Sequence, residues 1–201
     1  MKLYYSPGAC SLASHIVLNE LGLPFTAVKV DTRKKLTQDG QDFWAINPKG
    51  YVPTLGLSDG GVLTEGPAIL QYLADQKPEA QLAPANGTMA RYRLQEWLGY
   101  LNSEVHKGFA PYFDPASTPE DKQRAGEKLG KKFDYLQQAL EGRELLTGAQ
   151  FTVADAYLYT LLGWTGYVGI DLGRWPGLKA YQARVAARPS VQQAHAREKA
   201  G

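Results

Sequence analysis

The chain has 201 residues, 44% hydrophobic and 21% charged, with a formal net charge of +2; that is ordinary for a globular protein of one large or two small domains. The one basic run, Arg33-Lys34-Lys35, is too short for a nucleic-acid arm, and no stretch approaches the roughly 18 continuous apolar residues of a membrane span. A single cysteine, Cys10, excludes an internal disulfide. Lys2 is followed by only a few apolar residues before Pro7-Gly8, so no secretory leader is read and a cytoplasmic location is expected.

The first third alternates strands and helices. Lys2 to Tyr5 reads as a short strand, and Cys10 to Leu21 as a helix ended by Gly22. Phe25 to Val30 is rich in β-formers. A helical turn over Phe43 to Ile46 is closed by Asn47-Pro48-Lys49-Gly50. Val52 to Leu57 and Val62-Leu63 flank the hairpin signal Ser58-Asp59-Gly60-Gly61. Gly66 to Asp75 reads as a helix with Pro67 in its first turn. The order predicts a small mixed sheet covered by helices. A proline-bearing linker over 79–86 follows.

From there the periodicity is helical to the end. Met89 to Phe109 places Leu94, Trp97, Leu98, Leu101, Val105 and Phe109 on one stripe. Gly99, Ser103 and His106 fall on the opposite, small and polar side. Ser117-Thr118-Pro119-Glu120 starts a helix, and so does Phe151-Thr152-Val153-Ala154-Asp155. In the second start, Asp155 is spaced to reach back to the N–H of Thr152. The apolar run that follows, through Leu162 and Trp164, reads as a core helix. Leu178 to Ala187 is read as the last helix. The fold class is α/β followed by all-α.

Three features carry chemistry. Cys10 stands at a strand-to-helix turn, where helix-end N–H groups and the helix dipole favour thiolate, so a lowered pKa is expected. The plain alternative is a small buried hydrophobe. With Cys10-Ser11-Leu12-Ala13 in place of a Cys-x-x-Cys, any second thiol must come from a small molecule. Val52-Pro53 places a proline at the head of a strand; a cis bond there would leave the Val52 backbone free at a sheet edge to pair with a peptide-like ligand. Thr64-Glu65-Gly66-Pro67 sets an acidic side chain beside a helix start. Together they suit the ammonium and carboxylate of an α-amino acid head group.

These segments, with Ala45-Ile46-Asn47-Pro48-Lys49-Gly50, Glu96-Trp97-Leu98, His106-Lys107-Gly108-Phe109 and Thr152-Val153-Ala154-Asp155-Ala156, run in order over nearly the whole chain. As a set the chain resembles the glutathione transferases, and closely their bacterial beta class. The resemblance implies a thioredoxin-like N-terminal domain over 1–78 and an all-helical domain over 87–201. It implies a cis Pro53 and glutathione as co-substrate, with no metal. Glutathione-binding residues implied are Cys10, Ser11, Lys35, Val52, Pro53, Glu65, Gly66, Ser103, Glu104 and His106. Cys10, His106 and Lys107 would be catalytic. Tyr5, Phe109, Tyr112, Phe113, Trp164 and Tyr167 are candidates for a second-substrate pocket.

Some positions depart from the pattern. Gly99 stands where close relatives often carry Asn, and Gly66 where many carry Ser. The function expected is conjugation of glutathione to small hydrophobic electrophiles, thiol–disulfide exchange through Cys10, or both. Reductive dehalogenation is a narrower variant, and a non-catalytic binding protein the rival. An electrophile or disulfide is the expected partner, with no nucleic acid and no membrane. A homodimer is expected too, with Glu104 reaching across a twofold axis.

Overall fold

The computed structural model describes residues 1–200. Its N-terminal part holds a five-stranded sheet in the order β3-β2-β1-β4-β5. The strands are β1 (Lys2–Tyr5), β2 (Thr26–Asp31), β3 (Leu36–Thr37), β4 (Thr54–Gly56) and β5 (Val62–Thr64). β1 is parallel to β2, with Leu3 opposite Ala27, and antiparallel to β4, with Leu3 opposite Leu55. β3 and β5 close the two sides in antiparallel fashion. Alternation along β1 is legible in its burial. Leu3 and Tyr5 face the main core, while Tyr4 joins Val30 and Phe43 on the other face.

Helix α1 (Ser11–Leu21) lies between the sheet and the helices that follow. It is buried nearly all round, as its lack of a polar stripe requires. Gly22 ends it in the left-handed conformation, returning its N–H to the Asn19 carbonyl. α2 (Phe43–Ile46) and α3 (Gly66–Asp75) complete this part. A 3₁₀ turn at Pro78–Ala80 begins the linker.

The helical part comprises α4 (Met89–Tyr100), α5 (Ala110–Phe113), α6 (Pro119–Ala139), α7 (Val153–Val168), α8 (Pro176–Ala186) and α9 (Pro189–Ala200). Leu94, Leu98, Leu101, Val105 and Phe109 are buried, as their stripe predicts. The continuous helix expected to Phe109 is interrupted, however, by a π-helical segment at Leu101–His106. Apolar spacing does not distinguish the i→i+5 pattern from an α-helix over so short a run. Arg188-Pro189 does not end the helical part either. Pro189 opens α9, which packs along α1; a proline in a first helical turn loses no hydrogen bond. Arg188 and Ser190 both bond Glu20 of α1. One apolar cluster runs from Leu3 through α1 and α7 to Ala194, so both parts share a core.

The start of α7 is a buried polar knot. Asp155 is fully buried. Its carboxylate accepts from the Thr152 N–H and hydroxyl, both at 2.9 Å. It also accepts from the Leu146 N–H and the Tyr181 hydroxyl, each at 2.9 Å. The cap therefore fastens the segment before α7 and the middle of α8 to one side chain. Thr152→Ala is expected to cost about 1 kcal/mol, the usual loss for a helix cap. Asp155→Ala orphans two further buried donors and should cost about 3 kcal/mol or more. Urea melts check this: equal losses for the two variants would contradict the shared role of Asp155.

Candidate functional site

The loop between β1 and α1 is fixed before any ligand arrives. The Gly8 carbonyl accepts from Trp164 Nε1 of α7 at 2.8 Å, and the Gly8 N–H donates to Glu198 of α9 at 2.9 Å. Gly8 has a φ of +71°, and a side chain added there would meet the Tyr167 hydroxyl at 3.5 Å. The Ser11 hydroxyl accepts from the Ser6 N–H at 3.2 Å and donates to its carbonyl at 3.3 Å. Ser11 is fully buried. Its hydroxyl is engaged in holding the loop, so any contact with glutathione falls to its backbone.

Cys10 Sγ donates to the Val52 carbonyl at 3.2 Å. Its pKa is raised to about 11. Burial of the thiol is the largest cause; the N–H groups of Cys10 and Ser11 and the charge of Lys107 pull the other way, and Glu65 adds to the rise. The lowered pKa expected from the helix start is thus overturned. The helix-end donors are present, but desolvation outweighs them.

Val52-Pro53 is cis. β4 begins at Thr54 and is paired on both sides, so Val52 lies ahead of the strand rather than along a free sheet edge. The preceding loop is braced by Asn47, whose Nδ2 donates to Tyr51 O and Thr54 Oγ1, both at 2.9 Å. Gly50 has a φ of +67°, and its Cα lies so close to Trp44 that a Cβ would come within 2.5 Å of the ring.

Two charged residues are held in the left-handed region, where non-glycine residues are uncommon. Glu65 has a φ of +69° and Lys35 a φ of +57°. Lys35 Nζ donates to Gly50 O at 2.7 Å and stands 5.3 and 5.2 Å from the Trp44 and Tyr51 ring centroids. Glu65 pairs with Lys49 Nζ at 2.8 Å, and the same lysine donates to Thr64 Oγ1 at 2.9 Å. Gly66 opens α3, and a Cβ there would meet nothing within 4 Å. The glycine in place of Ser is therefore not forced by space.

His106 Nδ1 lies 2.7 Å from the Tyr157 hydroxyl, and its ring meets Trp164 edge-on at 4.8 Å. Burial, then the neighbouring Lys107 charge, lowers its pKa to about 4. Phe113 packs edge-on to Trp164 at 5.6 Å and is 55% exposed, and Tyr167 is 77% exposed. Tyr167 lines a small cavity with Trp164, Gly8 and His195, and Phe113 does not line it. Tyr5 and Phe109 are both buried in the core, Tyr5 against His15 and Phe109 between Trp164, edge-on at 5.4 Å, and Phe133. Their aromatic character reflects packing. Tyr112 packs over Gly126 of α6.

Ser103 and Glu104 lie apart from this group. They line a groove of about 600 Å³ with Lys128 and Lys132 of α6. Glu104 pairs with Lys132 Nζ at 3.1 Å. Lys107 also lines that groove, yet its charge is felt at Cys10 and His106. Tyr157, Asn102, Lys49 and Glu198 went unread in the sequence. Tyr157 is hidden in an apolar run, and Glu198 stands on a helix that was not predicted. Among the described residues no cluster of His, Cys, Asp and Glu is arranged to hold a metal, and no helix is long and apolar enough to cross a membrane.

Residues 8–76 match the family model for the glutathione S-transferase N-terminal domain, and residues 100–189 that for the C-terminal domain. The chain is 48% identical to glutathione S-transferase GstA of Escherichia coli O157:H7, over 96% of each chain. A bacterial glutathione transferase solved as the ternary complex of BphK shares 53% identity, with a TM-score of 0.97, over 99% of this chain and all of that one. A sphingomonad glutathione S-transferase complexed with glutathione shares 50% identity and a TM-score of 0.97 over all of both chains. The bacterial beta class enzyme of Sphingomonas chungbukensis shares 50% identity and a TM-score of 0.96 over 98% of each. The chain belongs to the glutathione S-transferase family, in its bacterial beta class.

Proposed function

We propose that the protein conjugates glutathione to small hydrophobic electrophiles. One juxtaposition carries the reading. A carboxylate, Glu65, and an ammonium, Lys35, are both held in left-handed backbone, and the same stretch of chain carries the Val52 backbone that Cys10 bonds. Glutathione has the matching groups: an α-amino head, two peptide units, a thiol and a terminal carboxylate. Glu65 takes the ammonium, the Gly66 N–H the head-group carboxylate, and Lys35 the glycine carboxylate. Val52, before Pro53, pairs with the tripeptide backbone.

His106 accepts the glutathione thiol proton, and Lys107 favours the anionic sulfur left behind. Cys10, neutral at pH 7, turns its single S–H hydrogen from the Val52 carbonyl to that sulfur, which releases the carbonyl for the tripeptide backbone. Phe113, Trp164 and Tyr167 hold the electrophile's apolar part. The natural protein should bind glutathione and conjugate a chloronitrobenzene, and Glu65→Gln should weaken glutathione at least tenfold. Lys49→Met removes the ammonium now paired with Glu65. Exposed pairs of this kind contribute about 0.2–1 kcal/mol, so its glutathione affinity should rise about 1.4- to fivefold. No binding at millimolar glutathione would end the reading.

The state of Cys10 also sets how disulfide exchange behaves. With a pKa of about 11, only about one thiol in ten thousand is ionised at pH 7. Alkylation of Cys10 by iodoacetamide, and exchange with glutathione disulfide, should each rise about tenfold per pH unit between pH 7 and 9. Cys10→Ala should abolish both and leave most of the conjugation. A rate already flat at pH 7 would restore the low-pKa thiol.

A cytoplasmic homodimer completes the proposal. Ser103 and Glu104 face a groove away from Glu65 of their own chain, so they serve glutathione only across a twofold axis. Sedimentation at micromolar concentration should show a dimer; a stable monomer would remove these two residues from the site.

A further inference from the structure

His106 has two ring nitrogens, and which of them holds the proton decides what the ring can do. We propose that Tyr157 and Asn102 are positioning residues that fix His106 as the tautomer with its proton on Nδ1, leaving the Nε2 lone pair as the site's proton acceptor. The inference rests on His106 serving the glutathione thiol.

The geometry counts protons. Tyr157 has one hydroxyl hydrogen, and it donates that hydrogen to Asn102 Oδ1 at 3.0 Å. The same oxygen lies 2.7 Å from His106 Nδ1. Having no second hydrogen, it can only accept there, so Nδ1 must donate. Burial raises the Tyr157 pKa well beyond its ordinary value, so the phenol keeps its hydrogen. His106, at about 4, is neutral at pH 7 and carries a single proton. That proton is on Nδ1, and Nε2 is unprotonated. Nε2 makes no hydrogen bond among the described residues, whereas Nδ1 is fully engaged. The Trp164 ring, edge-on at 4.8 Å, restrains the imidazole plane.

The π-helical segment Leu101–His106 contributes two members of the arrangement. It carries both Asn102 and His106, and Tyr157 of α7 bonds the two. When Nε2 takes the thiol proton, the S–H bond breaks, an Nε2–H bond forms, and the electron pair stays on sulfur. The new imidazolium is held by the thiolate beside it and by Tyr157, which still accepts from Nδ1.

The test is nitrogen NMR of labelled histidine, read beside conjugation kinetics. In the natural protein, Nδ1 of His106 should give a protonated signal and Nε2 an unprotonated one. Tyr157→Phe keeps the ring and removes the acceptor. It should move the proton toward Nε2 and lower kcat about tenfold, with KM for glutathione within twofold. Asn102→Asp, which keeps an acceptor for the phenol, should retain the Nδ1 tautomer. A protonated Nε2 in the natural protein would overturn the inference. So would a Tyr157→Phe variant of undiminished kcat when His106→Gln is impaired. An undiminished His106→Gln would remove His106 from the chemistry and take this inference with it.

Discussion

The peptide at Gly8 is gripped from both sides by helices from the far end of the chain: Trp164 holds its carbonyl and Glu198 its N–H. The placement of Cys10 depends on that grip. The loop it fixes delivers Cys10 to Val52, and Val52 is in turn placed by the Asn47 brace and the Gly50–Trp44 contact. Neither part of the molecule would present this site alone. A thioredoxin-like sheet without α7 and α9 has nothing to satisfy Gly8, and an exposed loop of Pro, Gly and Ala has little reason to keep one conformation. The shared core follows from the same need, since α1 must be covered on the side the sheet leaves open.

Two opposing effects meet at Cys10, and their sizes decide its chemistry. Helix-end donors and Lys107 favour the thiolate; burial and Glu65 oppose it and win. Stability of the loop and ionisation of the thiol therefore conflict: the packing that fixes the half-buried Cys10 also weakens the solvation of its charge. A neutral thiol beside a nascent glutathione anion is nonetheless useful, because it donates a hydrogen bond without adding a second negative charge. The cysteine thus suits conjugation at neutral pH, and exchange only as the medium becomes alkaline.

Much of the fold was legible. The hairpin after Leu57, α3 from Gly66 to Asp75 and the Thr152–Asp155 cap are set by local rules of turn, proline and capping that the chain obeys. What escaped was decided by tertiary packing. The two-residue strand β3 has no periodicity to read, and α9 is a weakly amphipathic segment that α1 recruits. Among the proposed site residues, Cys10, Val52 and Glu65 stand in short motifs that the sequence exposes, whereas Lys35 and the role of His106 are what the family resemblance implies. Tyr157 was not visible, since a hydroxyl in an apolar run looks like one more core ring. Tyr5 and Phe109, both buried, mark the limit from the other side: aromatic spacing says a side chain is on the inner face of an element, but not whether that face meets a ligand or another helix.

The strained residues give the site its direction. Left-handed backbone at a non-glycine residue costs on the order of 1–3 kcal/mol, and folds retain it where the surroundings over-determine it. Here it falls on Lys35 and Glu65, charged residues of opposite sign, and each is held by a neighbour in the loop or turn beside it. Lys49 on Glu65 and the Gly50 carbonyl on Lys35 hold each charge in place until a ligand's own charges replace them. In the proposed complex Glu65 exchanges one ion pair for another, whereas Lys35 exchanges a bond to a neutral carbonyl for an ion pair with the glycine carboxylate, so the two ends contribute unequally. In that proposal specificity comes from the requirement that both ends be exchanged at once, at the spacing of a tripeptide, while the Val52 carbonyl exchanges its Cys10 bond for the ligand backbone between them. A ligand with only one of the two charges gains one exchange and leaves the other end as it was.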